Sequence, residues 1–236
     1  MKNFIIEEKF WELFPNAKLG IIVCNGINNH VEEENKYLGL LEEAEKEAMK
    51  HLTDEEFSNN PVIKVWRDAF KQFKTKKGAR ASIEAMLKRV SNGNHIGAIN
   101  PLVDIYNSIS LRYGLPVGGE DIDKFEGDCR LTLAEGGEDF ITYGSDKSEP
   151  PYEGEVVYKD DAGAICRCWN WREAVRTMLT EETTNSFMCI ELIDESRYDV
   201  FEEALQELAK LIEANLGGSC RIEILSADRK QIVIEE

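Results

Sequence analysis

The sequence predicts an α+β fold, with helices gathered in its first half and strands in its second. Three observations carry this. Apolar residues at helical spacing follow two asparagine–proline starts, Asn60-Pro61 and Asn100-Pro101. Beyond residue 115 the period changes to alternating, β-branched runs parted by glycine or acidic turns. With 236 residues, 42% hydrophobic and 31% charged, the chain can build a large core without a disulfide or metal staple. No internal repeat, low-complexity tract or linker interrupts it. Residues 1–236 therefore read as a single domain, N-terminal helices packed on a large mixed β-sheet.

The elements follow in order. Residues 1–18 read as a short edge strand or arm carrying Phe10, Trp11 and Phe14, and LGIIVC (19–24) as a buried strand before the turn NGINN. Residues 31–58 are helical by composition, with Leu38, Leu41, Ala44, Ala48 and Leu52 as one stripe. The run VIKVWRDAFKQF after Asn60-Pro61 predicts a second helix, and residues 80–91 a third. LVDIYNSISLRY, stopped by Gly114, predicts a fourth. Strands are expected at 129–134, 139–144, 155–160, 164–170, 187–193, 221–225 and 231–235. The turn DDAG joins two of them, and a helix spans about 199–215.

Charge narrows the function classes. The net charge of −17 opposes non-specific nucleic-acid binding and argues against DNA as a partner. No apolar run is long enough to span a membrane, and the opening residues lack a secretory or transit pattern. A cytoplasmic protein with no membrane partner is expected. One segment departs from the acidic background. Lys64, Arg67, Lys71, Lys74, Lys76, Lys77, Arg80, Lys88 and Arg89 oppose only Asp68 and Glu84, so a polyanion, if bound, docks here. The alternative is that these bases pair with the acidic helix before them. The six cysteines are expected to be reduced and mostly buried. Cys166-x-Cys168 has no second pair to complete a metal site, and His30, His51 and His95 lie far off in sequence, so neither metal nor cofactor is expected.

No phosphate loop, dinucleotide fingerprint, HExxH or GxSxG motif is present. Three clusters remain that could carry chemistry. In LPVGGEDID, Gly118 and Gly119 adjoin Glu120, Asp121 and Asp123. Glycines let a backbone approach a ligand, and carboxylates can hold an amine or position water. In CRCWNWR, strand alternation would put Arg167, Trp169 and Trp171 on one face, suited to stacking on a base, and Cys166, Cys168, Asn170 and Arg172 on the other. In LTEETTN, Thr183 and Asn185 precede a strand carrying Glu191 and could hydrogen-bond a ribose or an amine.

Taken in order, these segments resemble a known family. INPLVDIYNSISLRYGLPVGGEDIDKFEGD (99–128) is similar to the helix-and-loop segment of the B3/B4 domain of the phenylalanyl-tRNA synthetase β subunit, which reads like NPLVDxTNYxxLELGQPMHAFDxDxLEG. The likeness continues through TLAEGGEDF, EVVYKD, AICRCWN and EETTN to Glu191 and is strongest over 60–193. It implies an editing-like domain acting in trans, a hydrolase for the ester of a mischarged aminoacyl-tRNA that receives the CCA end. Glu120 and Glu191 would be catalytic. Asn100, Gly118, Gly119, Asp121, Trp169, Asn170, Arg172, Thr183 and Asn185 would bind substrate, and Lys71, Lys74, Lys76, Lys77 and Arg80 the tRNA. Departures are specific: Gly118 stands where the pattern has histidine, Gly97 where it has arginine, and Trp169, Trp171 and Arg172 where it has glycines. The loss of the histidine leaves a second reading open, a non-catalytic tRNA- or amino-acid-binding module on the same scaffold.

Overall fold

A computed structural model describes residues 1–236. The chain starts with strand β1 (Lys2–Ile6), helix α1 (Glu8–Leu13) and strand β2 (Lys18–Asn25). Helices α2 (Leu38–Ala48), α3 (Pro61–Phe70), α4 (Ser82–Ser91) and α5 (Pro101–Tyr113) follow. Then come strands β3 (Val117–Asp121), β4 (Cys129–Leu133), β5 (Val156–Asp160), β6 (Gly163–Arg167), β7 (Arg172–Glu173) and β8 (Asn185–Leu192). Helix α6 (Tyr198–Leu216) and strands β9 (Ser219–Leu225) and β10 (Gln231–Glu235) complete it.

The α+β expectation holds, and the strands divide between two sheets. The mixed sheet has six strands in the order β10-β1-β4-β5-β6-β7, and the second has four, β3-β8-β2-β9. Only β1 and β4 run parallel; every other pairing is antiparallel. Alternation explains how the sheets stack. On β2, Leu19, Ile21 and Val23 join the core shared with the six-stranded sheet, while Ile22 and Cys24 join the core beneath α5 and α6. The molecule is thus layered: helices, four-stranded sheet, six-stranded sheet, with α1, α3 and α4 contributing to the inter-sheet core.

Helix boundaries follow local chemistry. Asn100 accepts a hydrogen bond from the Val103 amide at the start of α5, and Gly114 closes that helix in the left-handed conformation at φ 63°. Asn60 precedes Pro61 as expected, yet its side chain serves the preceding loop, accepting from the Asp54 amide. The acidic stretch keeps its stripe, with Leu41, Ala44 and Ala48 buried, but α2 covers only its middle.

Several expectations are corrected. β1 is an interior strand between β10 and β4, not an edge, and α1 follows it. Residues 139–144 form no strand. The strand expected over 164–170 ends at Arg167, because Cys168 and Trp169 adopt φ of 47° and 65° and turn the chain. That break cancels the proposed two-faced arrangement of CRCWNWR. Nor are all six cysteines free: Cys24 and Cys220 lie opposite each other on β2 and β9 and form a disulfide, while Cys129, Cys166, Cys168 and Cys189 are buried thiols.

Candidate active site

A cavity of about 670 Å³ opens between the two sheets beside α4. Its walls come from stretches far apart in sequence. β3 supplies Gly118 and Glu120, β5 Tyr158, β6 and the turn after it Cys166, Trp169, Asn170 and Trp171, β7 Glu173, and β8 Cys189 and Glu191. Ser82, Ala85 and Met86 close the α4 side, and Tyr143 stands at the opening, 82% exposed.

The spacing of β8 explains which side chains meet here. Phe187, Cys189 and Glu191 recur every second residue and face the cavity, while Met188 and Ile190 turn to the helix-side core. Glu191 is held on both carboxylate oxygens. The Tyr158 hydroxyl donates to Oε1 at 2.8 Å, and the Asn170 amide donates to Oε2. Burial is the main reason its carboxyl is raised to about 7, against the opposing pull of those two hydrogen bonds and with the neighbouring Glu173 adding to the rise.

Glycine pairs usually mark flexible turns, yet VGGED is a strand. It forms because β8 offers a full antiparallel edge and because nothing larger fits: a Cβ on Gly119 would lie 2.6 Å from the Met188 sulfur and 2.9 Å from Leu179 Cδ1. The strand then sorts its carboxylates by face. Glu120 turns into the cavity, where Thr177 donates to its Oε2 at 2.8 Å. Asp121 turns the other way, accepting from the Thr183 hydroxyl at 2.8 Å, with Lys124 nearby. Burial, with Glu173 adding to it, raises the Glu120 carboxyl well above its ordinary value.

The structure therefore brings together Gly118, Gly119, Glu120, Trp169, Asn170, Arg172 and Glu191, while the other four expected substrate contacts do not line this cavity. Asp121 and Thr183 satisfy each other behind β3. Asn185 donates to Asp123 at the far end of β8. Asn100 is buried as a helix cap, its Oδ1 also accepting from Asn29 at 3.1 Å. Arg167 offers no cationic surface, since it forms a two-point ion pair with Glu155 at 2.6 and 3.1 Å with both side chains buried.

Sequence reading missed two cavity carboxyl partners. Glu173 follows Arg172 in an otherwise unremarkable stretch, and only the pairing of β7 with β6 turns it inward. Tyr158 reads as one residue of a β-run, and no local signal marks it as the donor to Glu191.

The basic segment reaches the cavity opening. Lys76 Nζ lies 6.0 Å from the Trp171 ring centre and the Arg172 guanidinium 4.8 Å from it. Its bases do not pair with the acidic helix α2. Lys64 and Lys71 pair with Asp68, Arg67 with Glu84 and Lys76 with Glu149. Lys74, Lys77 and Arg80 form no salt bridge, and Arg80 lies just before the α4 residues that line the cavity.

Residues 65–217 match the family described as the B3/4 domain. Among solved structures, the chain is similar to an N-terminal fragment of the phenylalanyl-tRNA synthetase β-subunit from Pyrococcus horikoshii. The identity is 14% and the TM-score 0.45, over 92% of this chain and 50% of that one, so this chain spans half the length of that fragment. No curated protein sequence matches. The family match takes in well over half of the residues, including every strand that walls the cavity, and the protein belongs to the B3/4 domain family.

Proposed function

We propose that this protein hydrolyses the ester of a mischarged aminoacyl-tRNA, acting in trans on the CCA end. The observation that carries the reading is the setting of Glu191: a carboxylate gripped by Tyr158 and Asn170, inside a cavity whose opening is flanked by Trp171, Arg172 and the basic segment. Its volume lies within the range of roughly 300–1,000 Å³ typical of small-ligand sites.

The chemistry follows from the carboxyls. With its carboxyl near 7, Glu191 is ionised in a useful fraction of molecules at neutral pH yet basic enough to accept a proton from water. The activated water attacks the ester carbonyl while its proton passes to Glu191; as the tetrahedral intermediate collapses, the acyl carbon–ribose oxygen bond breaks and Glu191 returns that proton to the departing ribose oxygen, leaving the free amino acid and the tRNA. Glu120, raised by burial and by the neighbouring Glu173, accepts only from the Thr177 hydroxyl, whereas Glu191 is oriented through both oxygens, so of the two expected catalytic carboxyls we assign Glu191 as the base. An ester is an activated substrate, so positioning and a base suffice without a covalent nucleophile. At the opening, Trp171 offers a stacking face for the terminal base, and Arg172, Lys74, Lys77 and Arg80 attract the phosphates.

A second reading, binding without turnover, is favoured by one feature: Gly118 takes the place of the family's histidine, and no histidine lines the cavity. A panel of mischarged tRNAs decides between them. Release of amino acid from at least one member, abolished in Glu191→Gln, supports hydrolysis; saturable binding without release supports the module.

A further inference from the structure

The six cysteines divide by position. Cys129, Cys166, Cys168 and Cys189 are buried, and burial pushes each thiol above its ordinary value, so they hold their protons and react slowly. Cys24 and Cys220 are placed otherwise. They stand opposite each other on the β2–β9 ladder, with Cα atoms 4.2 Å apart. That is the narrow kind of antiparallel pair, at about 4.5 Å, in which the two residues turn their own N–H and C=O groups away from each other. The Cys220 amide accordingly donates outward, to the Glu213 carboxylate of α6 at 2.7 Å. The register of the sheet alone therefore brings the two sulfurs together, and the ladder stands whether or not they are joined.

The pair is also unequal in access. Cys24 is fully buried in the core beneath α5 and α6. Cys220 is only partly buried, and β9 is the edge strand of its sheet, with no strand on its outer side. A small molecule approaching that edge meets the Cys220 sulfur first. The pair lies away from the cavity carboxylate on β8: Cys24 is opposite Ser186, whereas Glu191 is opposite Leu19, five residues along β2.

We propose that Cys220 and Cys24 form a reversible redox site that exchanges with small disulfides, Cys220 as the reacting sulfur and Cys24 as the resolving one. The site is independent of the proposed hydrolysis. In the oxidising direction the Cys220 thiol loses its proton to solvent, and its thiolate attacks one sulfur of the small disulfide. A sulfur–sulfur bond forms on Cys220 as the old one breaks, and one small thiolate leaves and takes up a proton. Cys24 then loses its proton, attacks the Cys220 sulfur and expels the second small thiol. Two protein thiols are oxidised to one disulfide, and one small disulfide is reduced to two thiols; an excess of small thiol reverses both steps. The bond joins residues 196 apart in sequence and so restricts the unfolded chain, which makes the oxidised form the more stable.

The test equilibrates the full-length protein in mixtures of 2-mercaptoethanol and bis(2-hydroxyethyl) disulfide of varied ratio. Samples are quenched with acid, unfolded, alkylated and weighed by mass spectrometry. As the disulfide fraction rises, two thiols should be lost together, and peptide mapping should join Cys24 to Cys220, with the other four cysteines still alkylated. Reversing the ratio should restore all six thiols. Cys24→Ser should stop at a mixed disulfide, gaining one mercaptoethanol on Cys220, while Cys220→Ser should gain none on Cys24. The oxidised wild type should unfold at a higher urea concentration than the reduced one. Should a variant fail to fold, the wild-type thiol count still decides. A pair that never oxidises, a pair that no excess of thiol reduces in the folded protein, or oxidation of a buried cysteine ahead of the pair overturns the proposal. So does a folded Cys24→Ser protein without the adduct, or a folded Cys220→Ser protein that carries one on Cys24.

Discussion

Tyr158 and Glu191 join the two sheets across the cavity: a hydroxyl from β5 of the six-stranded sheet donates at 2.8 Å to a carboxylate on β8 of the four-stranded one. This hydrogen bond forms between the layers, at the place where the proposed chemistry occurs. Any shift of one sheet against the other therefore changes the setting of the base.

The first prediction concerns that base. Glu191→Gln should lower kcat for deacylation by about 10²–10⁴, the usual contribution of a general base, with a far smaller effect on tRNA affinity. In the wild type the rate should climb with pH through about 7 and then level, because the carboxyl accepts a proton only once ionised. Single-turnover deacylation across that pH range measures both.

The same substitution should stabilise the protein at alkaline pH. A carboxyl raised from its ordinary 4.5 to about 7 in the folded state contributes stability that is fully present below about 4.5 and lost as pH rises through 7. Removing the charge should therefore gain about 3 kcal/mol at most at pH 8 and almost nothing at pH 4.5. Asn170 can accommodate the change by reversing its amide, since its Oδ1 has no partner. Urea unfolding of both proteins at the two pH values provides the check.

For tRNA binding, the bases fall into two groups. Lys74→Glu, Lys77→Glu and Arg80→Glu together should weaken affinity strongly and lower the salt slope by about 0.7 for each phosphate no longer neutralised. Lys71→Glu should do much less, because Lys71 is engaged with Asp68. Filter binding at several salt concentrations separates them.

Asn100→Ala should cost about 1–2 kcal/mol of stability by removing the helix cap while leaving kcat per folded molecule unchanged. Urea unfolding and single-turnover deacylation measure the two effects, and a matching fall in kcat would return Asn100 to the residues that touch substrate.

Much of this fold is legible in the sequence, and the reasons are local. Asn100-Pro101 and Gly114 bracket α5 through their own backbone preferences, and QIVIE coincides with β10 because a half-buried strand alternates. What escapes the sequence is set by partners distant in the chain. VGGED becomes a strand because β8 pairs with it, and β1 becomes interior because β10, more than two hundred residues later, docks beside it. The site divides along the same line. Glu120, Asn170 and Glu191 are visible as polar residues in unusual settings. Glu173 and Tyr158 gain meaning only from strand register, and Asp121 loses its place by pointing to the opposite face.

Trp169 is fully buried, packed edge-on against Phe10 and Trp66 and tilted against Phe14, and it also lines the cavity. The wall that meets a ligand is thus continuous with helices α1 and α3, which do not line the opening. Selectivity in this scaffold can be retuned from behind: exchanging Phe10, Phe14 or Trp66 for a smaller apolar residue would let the indole settle backward and admit a bulkier guest, with every polar group at the reacting centre left as it was.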